Sequence, residues 1–172
     1  NARLFESLAS IERPFHLVGG IRDLDRQLRS AHALEQGQRF RVTDESIARF
    51  ASWRSLEYAA DHGDGEMRRM RDIVDQHGPR LPALLDRLGG LHRDAEADAQ
   101  IVVSTAHKAK GREWDNVIVL DDFDPPADIA ARRRGDAKKT VDADQQINLL
   151  YVACTRARRR LYLAPPLHDA LA

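Results

Sequence analysis

Three short apolar runs constrain the fold of this chain more than any other feature. Residues 101–103, 117–120 and 161–163 consist of Ile, Val, Leu and one Tyr. Continuous apolar runs of this length are typical of strands in a parallel sheet that is covered on both faces. A fourth, mostly apolar run at residues 15–18 is followed by two glycines and then by a helical pattern over residues 21–34. We therefore predict an α/β fold with a parallel sheet flanked by helices.

The segment from Thr43 to Gly90 has a purely helical pattern instead. Its apolar spacing predicts helices over residues 44–61, 65–77 and 81–89, and Thr43 begins a candidate capping box. Because nothing in this segment resembles a strand, we predict a small all-helical insertion. The predicted organisation is therefore a first part of the α/β core at residues 1–42, the insertion at 43–99, and the second part at 100–172.

Charge is balanced overall but unevenly distributed. The 27 basic and 27 acidic residues cancel, which argues against an indiscriminate polycation. Residues 122–145 are charged, include two adjacent prolines and lack apolar periodicity, so we predict a mobile surface loop there. Three basic runs, at 132–134, 138–139 and 158–160, are interpreted as solvated surface, and the last is expected to close a helix. Phosphate contacts are the alternative for these runs.

Three side chains are expected to pack rather than to react or bind. Trp53 and Tyr58 fit core positions of the helical segment, with exposed contacts as the alternative. Cys154, the only cysteine, fits a small hydrophobe on a helix. A single cysteine excludes an intramolecular disulfide and, without a second thiolate, disfavours a zinc site. No apolar run approaches the ~20 residues of a membrane span, and the N-terminus lacks a signal pattern. The sequence therefore favours a soluble, cytoplasmic protein, and its start without Met suggests a fragment.

Arg156 occupies a position that packing alone does not explain. On a helical wheel it shares one side with Leu149 and Val152. The opposite side is an apolar stripe made of Ile147, Leu150, Tyr151 and Cys154, so both sides are expected to be buried. A guanidinium on a half-buried face needs an anion, and its planar fork of donors suits carboxylate or phosphate. An internal salt bridge and a bound anion are both compatible with this pattern.

Residues 104–114 form a polar connector directly after the run at 101–103. Hydroxyl, imidazole, amine and carboxylate side chains crowd this segment, and Gly111 permits positive φ or a close backbone approach. Open α/β sheets place their ligands in loops at the carboxyl ends of parallel strands. A plain turn with solvated lysines is the alternative reading.

Two motifs resemble those of a known family. The pattern T-x-H-x-x-K-G-x-E, followed by Phe or Trp, is matched from Thr105 to Trp114, and the pattern L-x-Y-V-x-x-T-R-A is matched from Leu149 to Ala157. Both patterns, in this order, resemble the second RecA-like motor domain of the UvrD/Rep-type superfamily 1 DNA helicases. The strand and turn at residues 15–22 resemble an earlier element of that family. A short insertion and the sequence at 120–123 point within the family toward F-box DNA helicases and their bacterial relatives.

The resemblance implies an ATP site. Arg156 resembles the arginine finger that reaches across a cleft to the γ-phosphate of ATP, where a lost finger typically costs ~10³ to 10⁵ in rate. Glu113 resembles the carboxylate that binds the ribose hydroxyls, with Gly111 allowing the loop to pass closely. The fold implied is a RecA-like parallel sheet flanked by helices.

The resemblance also implies a DNA track. Thr105, His107 and Lys110 resemble residues that link the nucleotide cleft to single-stranded DNA, and Gly20 and Arg22 are expected to face nucleotide or DNA. For His107 the alternative is a hydrogen-bonded structural histidine, and no partner residue at ligand spacing suggests a metal.

No phosphate loop of the form G-x-x-x-x-G-K followed by Ser or Thr occurs in the sequence. The acidic pair at 121–122 follows an apolar run but has no such loop to serve, so we reject it as a magnesium-binding pair. The resemblance therefore implies that ATP with Mg²⁺ is bound mainly by an N-terminal RecA-like domain of the same longer chain, and that this fragment alone has no ATPase activity. Single-stranded or partly duplex DNA is the implied partner. A catalytically silent binding or regulatory module and the motor part of a helicase-nuclease are the alternatives, and an RNA-directed motor is least favoured.

Overall fold

The computed structural model describes residues 2–120, 123, 137–165 and 167–168. The chain divides into two compact units, Asn1–Val103 and Ser104–Ala172. Across the described residues, no helix combines the length and the apolar character that a bilayer crossing needs.

The first unit is mainly helical and contains one pair of parallel strands. Phe15 pairs with Ile101 and Leu17 with Val103, as the apolar runs predicted. Its elements in chain order are α1 (Ala2–Ala9), β1 (Phe15–Leu17), α2 (Arg22–Glu35), α3 (Glu45–Ala48), α4 (Trp53–Asp61), α5 (Gly65–His77), α6 (Leu81–Leu91) and β2 (Ile101–Val103), with 3₁₀ turns at Arg39–Arg41, Gly78–Arg80 and Glu96–Asp98.

A single hydrophobic core holds this unit together. Phe5, Phe15 and Leu28 are fully buried in it, and so are Ile47 and Leu56 from the helical segment. Each such side chain contributes about 1.5–3 kcal/mol on burial. Helices α3–α6 therefore pack into the same core as α1, β1 and α2, and the division into an insertion and a surrounding core stays a prediction.

The start of the helical segment differs from its prediction. The single helix expected at residues 44–61 is two helices, α3 and α4, and the capping box expected at Thr43 was wrong. Asp44 caps α3 by accepting a hydrogen bond from the Ser46 amide at 3.1 Å. Ser52, in an extended conformation, starts α4 and forms the capping box with Ser55. The break arises because the Ser52 side chain accepts a hydrogen bond from the Ser55 amide, which in a continuous helix would have bonded to a backbone carbonyl.

The second unit contains β3 (Trp114–Val119), α7 (Ala137–Cys154) and β4 (Ala157–Leu163). The two strands are parallel, with Trp114 opposite Ala157 and Ile118 opposite Tyr162. On one face of this pair, Val119 and Leu150 are buried together with Leu167, so α7 covers that face.

The opposite face of the β3–β4 pair is open. Ile118 is 70% exposed and Tyr162 is 50% exposed. The expectation that both faces of these strands are covered was therefore wrong for the described residues, where α7 and Leu167 pack on one face. The described strands form two separate two-stranded parallel sheets, β1–β2 and β3–β4. A continuous RecA-like sheet stays a prediction.

Two predicted charged segments have a different conformation. Residues 137–145 of the expected loop at 122–145 belong to α7, while residues 121, 122 and 124–136, with the basic run at 132–134, lie outside the described residues. The arginines at 158–160 lie in β4 and do not close a helix, because parallel pairing with β3 extends that strand back to Ala157.

Two tyrosines that were expected to pack are exposed. Tyr58 on α4 is 65% exposed and Tyr151 on α7 is 70% exposed. Tyr58 stacks on His62 with 3.9 Å between ring centroids, which occupies one face of its ring. Trp53, in contrast, packs against the core, as predicted.

Candidate functional site

A compact turn after β2 displays the polar side chains of the first motif. The Thr105 carbonyl accepts a hydrogen bond from the Ala109 amide at 3.0 Å, and its hydroxyl accepts one from the Lys108 amide at 3.4 Å. Ala109 is buried and anchors the turn. His107 and Lys110 are both exposed, so the turn presents an imidazole and an ammonium to solvent.

Gly111 reverses the chain before β3. Its φ is +77°, a conformation that residues with a Cβ rarely adopt. A Cβ at this position would meet nothing within 4 Å. The glycine is therefore required by its backbone conformation, whereas the described surroundings impose no close approach. The Arg112 amide completes the reversal by donating to the Ala109 carbonyl at 3.1 Å.

Arg156 lies in the turn between α7 and β4. The helix ends at Cys154, so the predicted position of Arg156 on a helical face was wrong. Its Nε donates to the Val152 carbonyl at 2.9 Å and its Nη1 donates to the Arg112 carbonyl at 3.2 Å. Its Nη2 donates to the Thr155 hydroxyl at 2.9 Å. The guanidinium is therefore held by three acceptors, one of which belongs to the first motif.

The environment of this guanidinium leaves its charge uncompensated by the described residues. All three acceptors are neutral, and no described carboxylate lies within ion-pair distance of it. An arginine has five N–H donors, so two remain after these three bonds. The internal salt bridge that was one alternative for Arg156 does not form among the described residues. A half-buried cation with oriented spare donors can bind an anion.

Glu113 directly follows Arg112, whose carbonyl accepts a hydrogen bond from Arg156. It is exposed, and neither it nor His107 or Lys110 forms a hydrogen bond or ion pair with any residue the structure describes. The next residue, Trp114, donates its amide to the Arg156 carbonyl at 3.0 Å. The second unit thus brings the first motif and the arginine of the second motif into direct contact.

Gly20 and Arg22 belong to the first unit. Gly20 has φ of +80° and donates its amide to the Leu17 carbonyl at 2.8 Å, which forms a tight turn at the end of β1. Arg22 begins α2, is exposed, and lines an open cleft together with Asp25 and Arg29. These features place a cation beside the glycine turn, and whether it faces nucleotide or DNA stays a prediction.

The acidic partner of the arginines at residues 158–160 was not predicted from the sequence. Asp115 on β3 pairs with Arg158 at 2.8 Å and with Arg159 at 3.6 Å on β4. Only the strand register could have revealed this pairing, because Asp115 and the arginines are distant in sequence. In the described ranges, no group of three or more His, Cys, Asp or Glu side chains is arranged to hold a metal ion.

A comparison with known protein families covers both motif segments. Residues 21–165 match the family model of the UvrD-like helicase C-terminal domain, a span that includes Arg22 and both motif segments. The chain belongs to this family. The resemblance to UvrD-like helicases inferred from the motifs is thereby confirmed.

Two curated members of the helicase family are similar to this chain. F-box DNA helicase protein 1 of Schizosaccharomyces pombe is 33% identical over 159 residues, which is 88% of this chain and 18% of the relative. F-box DNA helicase 1 of Gallus gallus is 32% identical over 121 residues, which is 67% of this chain and 12% of the relative. The chain thus spans less than a fifth of either relative's length. No solved structure matches the chain.

Proposed function

We propose that this UvrD-like domain is the C-terminal motor domain of an ATP-dependent DNA helicase, in which Arg156 is the arginine finger and nearby residues form part of a single-stranded DNA track. Family membership and the DNA helicase names of the two relatives support this assignment. The observation that carries it is the Arg156 guanidinium, which neutral acceptors orient and no described carboxylate neutralises.

In the proposed reaction, water attacks the γ-phosphorus of ATP as the bond to the ADP oxygen breaks. Negative charge is spread over the γ-phosphoryl oxygens in the transition state, and an oriented guanidinium stabilises it. The two remaining N–H donors of Arg156 would face those oxygens. Because Val152 and Arg112 already hold the side chain, little rotamer entropy is lost when the site forms.

The other motif residues take supporting roles in this proposal. Glu113 would accept hydrogen bonds from the ribose hydroxyls beside the reversal at Gly111. Thr105, His107 and Lys110 would contact DNA from the exposed turn, where an ammonium and an imidazole suit phosphate.

A second part of the motor is needed for ATP and Mg²⁺. The sequence holds no phosphate loop, so an N-terminal RecA-like domain of a longer protein would supply it together with the magnesium site. In the first unit, Gly20 and Arg22 would face nucleotide or DNA. The chain by itself is then expected to show no ATPase activity, and hydrolysis by the purified chain would contradict the two-domain proposal.

A catalytically silent binding or regulatory module is the second candidate. Arg156 donates to the Val152 carbonyl near the end of α7, and an arginine at a helix C-terminus can simply satisfy carbonyls and favour the helix dipole. In that case the cation would be structural. The motor part of a helicase-nuclease remains a variant of the main proposal, which a nuclease domain in the longer protein would reveal.

The deciding experiment replaces Arg156 in the longer protein that carries both motor domains. Arg156→Ala is expected to lower DNA-stimulated ATP turnover by about 10³-fold or more, with ATP affinity changed little. Arg158→Ala is the matched control, since Arg158 pairs with Asp115 on the exposed strands and is expected to leave turnover within about twofold. Wild-type turnover in Arg156→Ala would favour the silent module.

A further inference from the structure

The connection between α2 and α3 presents an aromatic ring to solvent. The 3₁₀ turn Arg39–Arg41 has the sequence Arg-Phe-Arg, and Phe40 at its centre is 84% exposed. Val42 and Phe50, which follow Phe40 in the sequence, pack against the core instead. Burying a phenylalanine contributes about as much as burying a leucine, so this turn leaves apolar surface unused for folding.

The turn is held in place by its own arginine. Arg39 donates from Nη1 to the Phe50 carbonyl and from Nη2 to the Ala48 carbonyl at 3.3 Å. Ala48 is the last residue of α3, and Phe50 lies just beyond that helix. Within the turn, the Arg41 amide donates to the Gln38 carbonyl at 2.9 Å. Phe40 is therefore displayed on a fixed segment, which lowers the entropic cost of binding a partner.

The charge around Phe40 is positive. The Arg41 guanidinium lies 5.7 Å from the Phe40 ring centroid, and residues 36–42 contain two arginines and no acidic residue. Acidic residues lie just outside this stretch. Asp44 pairs with Arg26, the Glu35 carboxylate accepts a hydrogen bond from the Gln36 side chain, and Glu45 is exposed. Neither Arg39 nor Arg41 is paired with a carboxylate that the structure describes.

An exposed ring that is flanked in sequence by two arginines suits one kind of binding partner better than others. One exposed phenylalanine is far too small for a stable protein interface, and cations beside it disfavour an apolar partner surface. Single-stranded nucleic acid offers both complements, because its bases stack on aromatic rings and its phosphates attract arginines. A duplex hides its base faces in the stack, so the ring would find no partner there.

We propose that Phe40, Arg39 and Arg41 form a base-stacking contact for single-stranded DNA in the first unit, in addition to the motif residues of the second. The choice of DNA as the polymer rests on the proposed helicase function. Phe40 supplies the ring on which a base stacks. Arg41, next to that ring, pairs with a flanking phosphate, while Arg39 fixes the turn and adds positive charge.

Binding of the 172-residue chain to a fluorescein-labelled oligo-dT of about 12 nucleotides tests this contact, since single-stranded DNA sites in proteins span about 4–16 nucleotides. Fluorescence anisotropy is expected to show that Phe40→Ala weakens binding roughly 5- to 150-fold. Phe40→Trp is expected to keep the affinity, and its added emission should change on binding. Tyr58→Ala, which removes another exposed aromatic ring, is the matched control and should bind like the wild type.

A second readout follows the charge. Arg41→Ala should weaken binding and reduce the slope of log affinity against log salt by roughly one phosphate contact. Equal affinity of Phe40→Ala and wild type, or equal affinity of the wild type for blunt duplex and oligo-dT, would overturn the stacking contact. Absence of any DNA binding by the wild-type chain would overturn it as well. In that event, DNA-stimulated ATPase activity of the longer protein would still decide the proposed function separately.

Discussion

The guanidinium of Arg156 donates a hydrogen bond to the main-chain carbonyl of Arg112 at 3.2 Å, which joins residues 44 positions apart in the sequence. A second hydrogen bond joins the same two segments, because the Trp114 amide donates to the Arg156 carbonyl at 3.0 Å. These bonds lie where β3 and β4 begin to pair, with Trp114 opposite Ala157. The turn before one strand and the turn before the other are therefore a single hydrogen-bonded unit.

The planar fork of N–H donors on Arg156, in addition to its charge, is expected to contribute to ATP turnover. Arg156→Lys keeps a cation but cannot reach three acceptors in different directions with a planar fork. We expect DNA-stimulated ATP turnover of the longer protein to fall by about 10²-fold or more, measured as kcat at saturating ATP and DNA. Arg158→Lys, on β4, is the control. A kcat of Arg156→Lys within twofold of wild type would show that charge alone is sufficient.

Replacing Gly111 is expected to lower the stability of the protein through its backbone conformation and without a steric clash. Gly111→Ala is expected to lower the free energy of unfolding by about 1–2 kcal/mol, because the residue must keep a φ of +77°. Urea denaturation measures this change. Gly90→Ala, in helix α6 where a Cβ also meets nothing within 4 Å, is the matched control and should stabilise by about 0.5–1 kcal/mol. Equal effects at both positions would contradict the conformational argument.

Asp44 is expected to make the stability of the first unit depend on pH. Burial raises the pKa of this carboxyl, but hydrogen bonds from Ser46 and from the Arg26 guanidinium outweigh burial, so its pKa lies below the usual value. A lowered folded-state pKa stabilises the protein above the unfolded-state pKa, about 3.9, and this stabilisation is lost as pH falls through the folded-state pKa. Unfolding free energy should therefore decrease as pH falls below about 4.

Asp44→Asn isolates that contribution. Asparagine still caps α3 well, so the main loss is the charged interaction with Arg26, and the variant is expected to be less stable than the wild type at pH 7. Urea titrations at pH 7 and pH 3 should show that the difference between variant and wild type shrinks at the lower pH. A difference that stays constant across this range would mean that the carboxylate charge contributes nothing.

One buried and one exposed phenylalanine, Phe15 and Phe40, form a matched pair for a test of stability. Phe15→Ala is expected to cost about 3–5 kcal/mol, because Phe15 is fully buried in the core and the substitution leaves a cavity. Phe40→Ala should change stability by no more than about 0.5 kcal/mol, since that ring is mostly exposed. Chemical denaturation of both variants checks this pair, and a large loss in Phe40→Ala would mean that its ring packs in solution.

The single thiol is expected to react slowly in the folded protein. Burial raises the pKa of Cys154, so less of the reactive thiolate is present at neutral pH. Labelling with a thiol reagent at pH 7.5 should therefore accelerate at least about tenfold after denaturation in urea, where access and thiolate fraction both increase. A free small-molecule thiol under the same two conditions controls for solvent effects. Equal rates before and after unfolding would place Cys154 at an open surface.

Local sequence patterns predicted much of the secondary structure of the described residues. Predicted helices at 65–77 and 81–89 correspond closely to α5 and α6, and the run at 101–103 is β2. These predictions succeeded because periodicity and glycine or proline punctuation act within a few residues. Helix continuity was harder to predict, because one serine at residue 52 decided where α4 begins.

The sequence by itself determined which residues make up the two motifs and that Gly111 is free to adopt a positive φ, because side-chain chemistry and backbone freedom are properties of single residues. Only the tertiary structure decided where Arg156 lies and what holds it. Pairing of β4 with β3 draws the arginines at 158–160 into a strand and places Arg156 in the preceding turn. The same pairing sets Asp115 beside Arg158. Such hydrogen bonds between segments distant in sequence override local helical preference, since each paired strand satisfies backbone groups that the other leaves open.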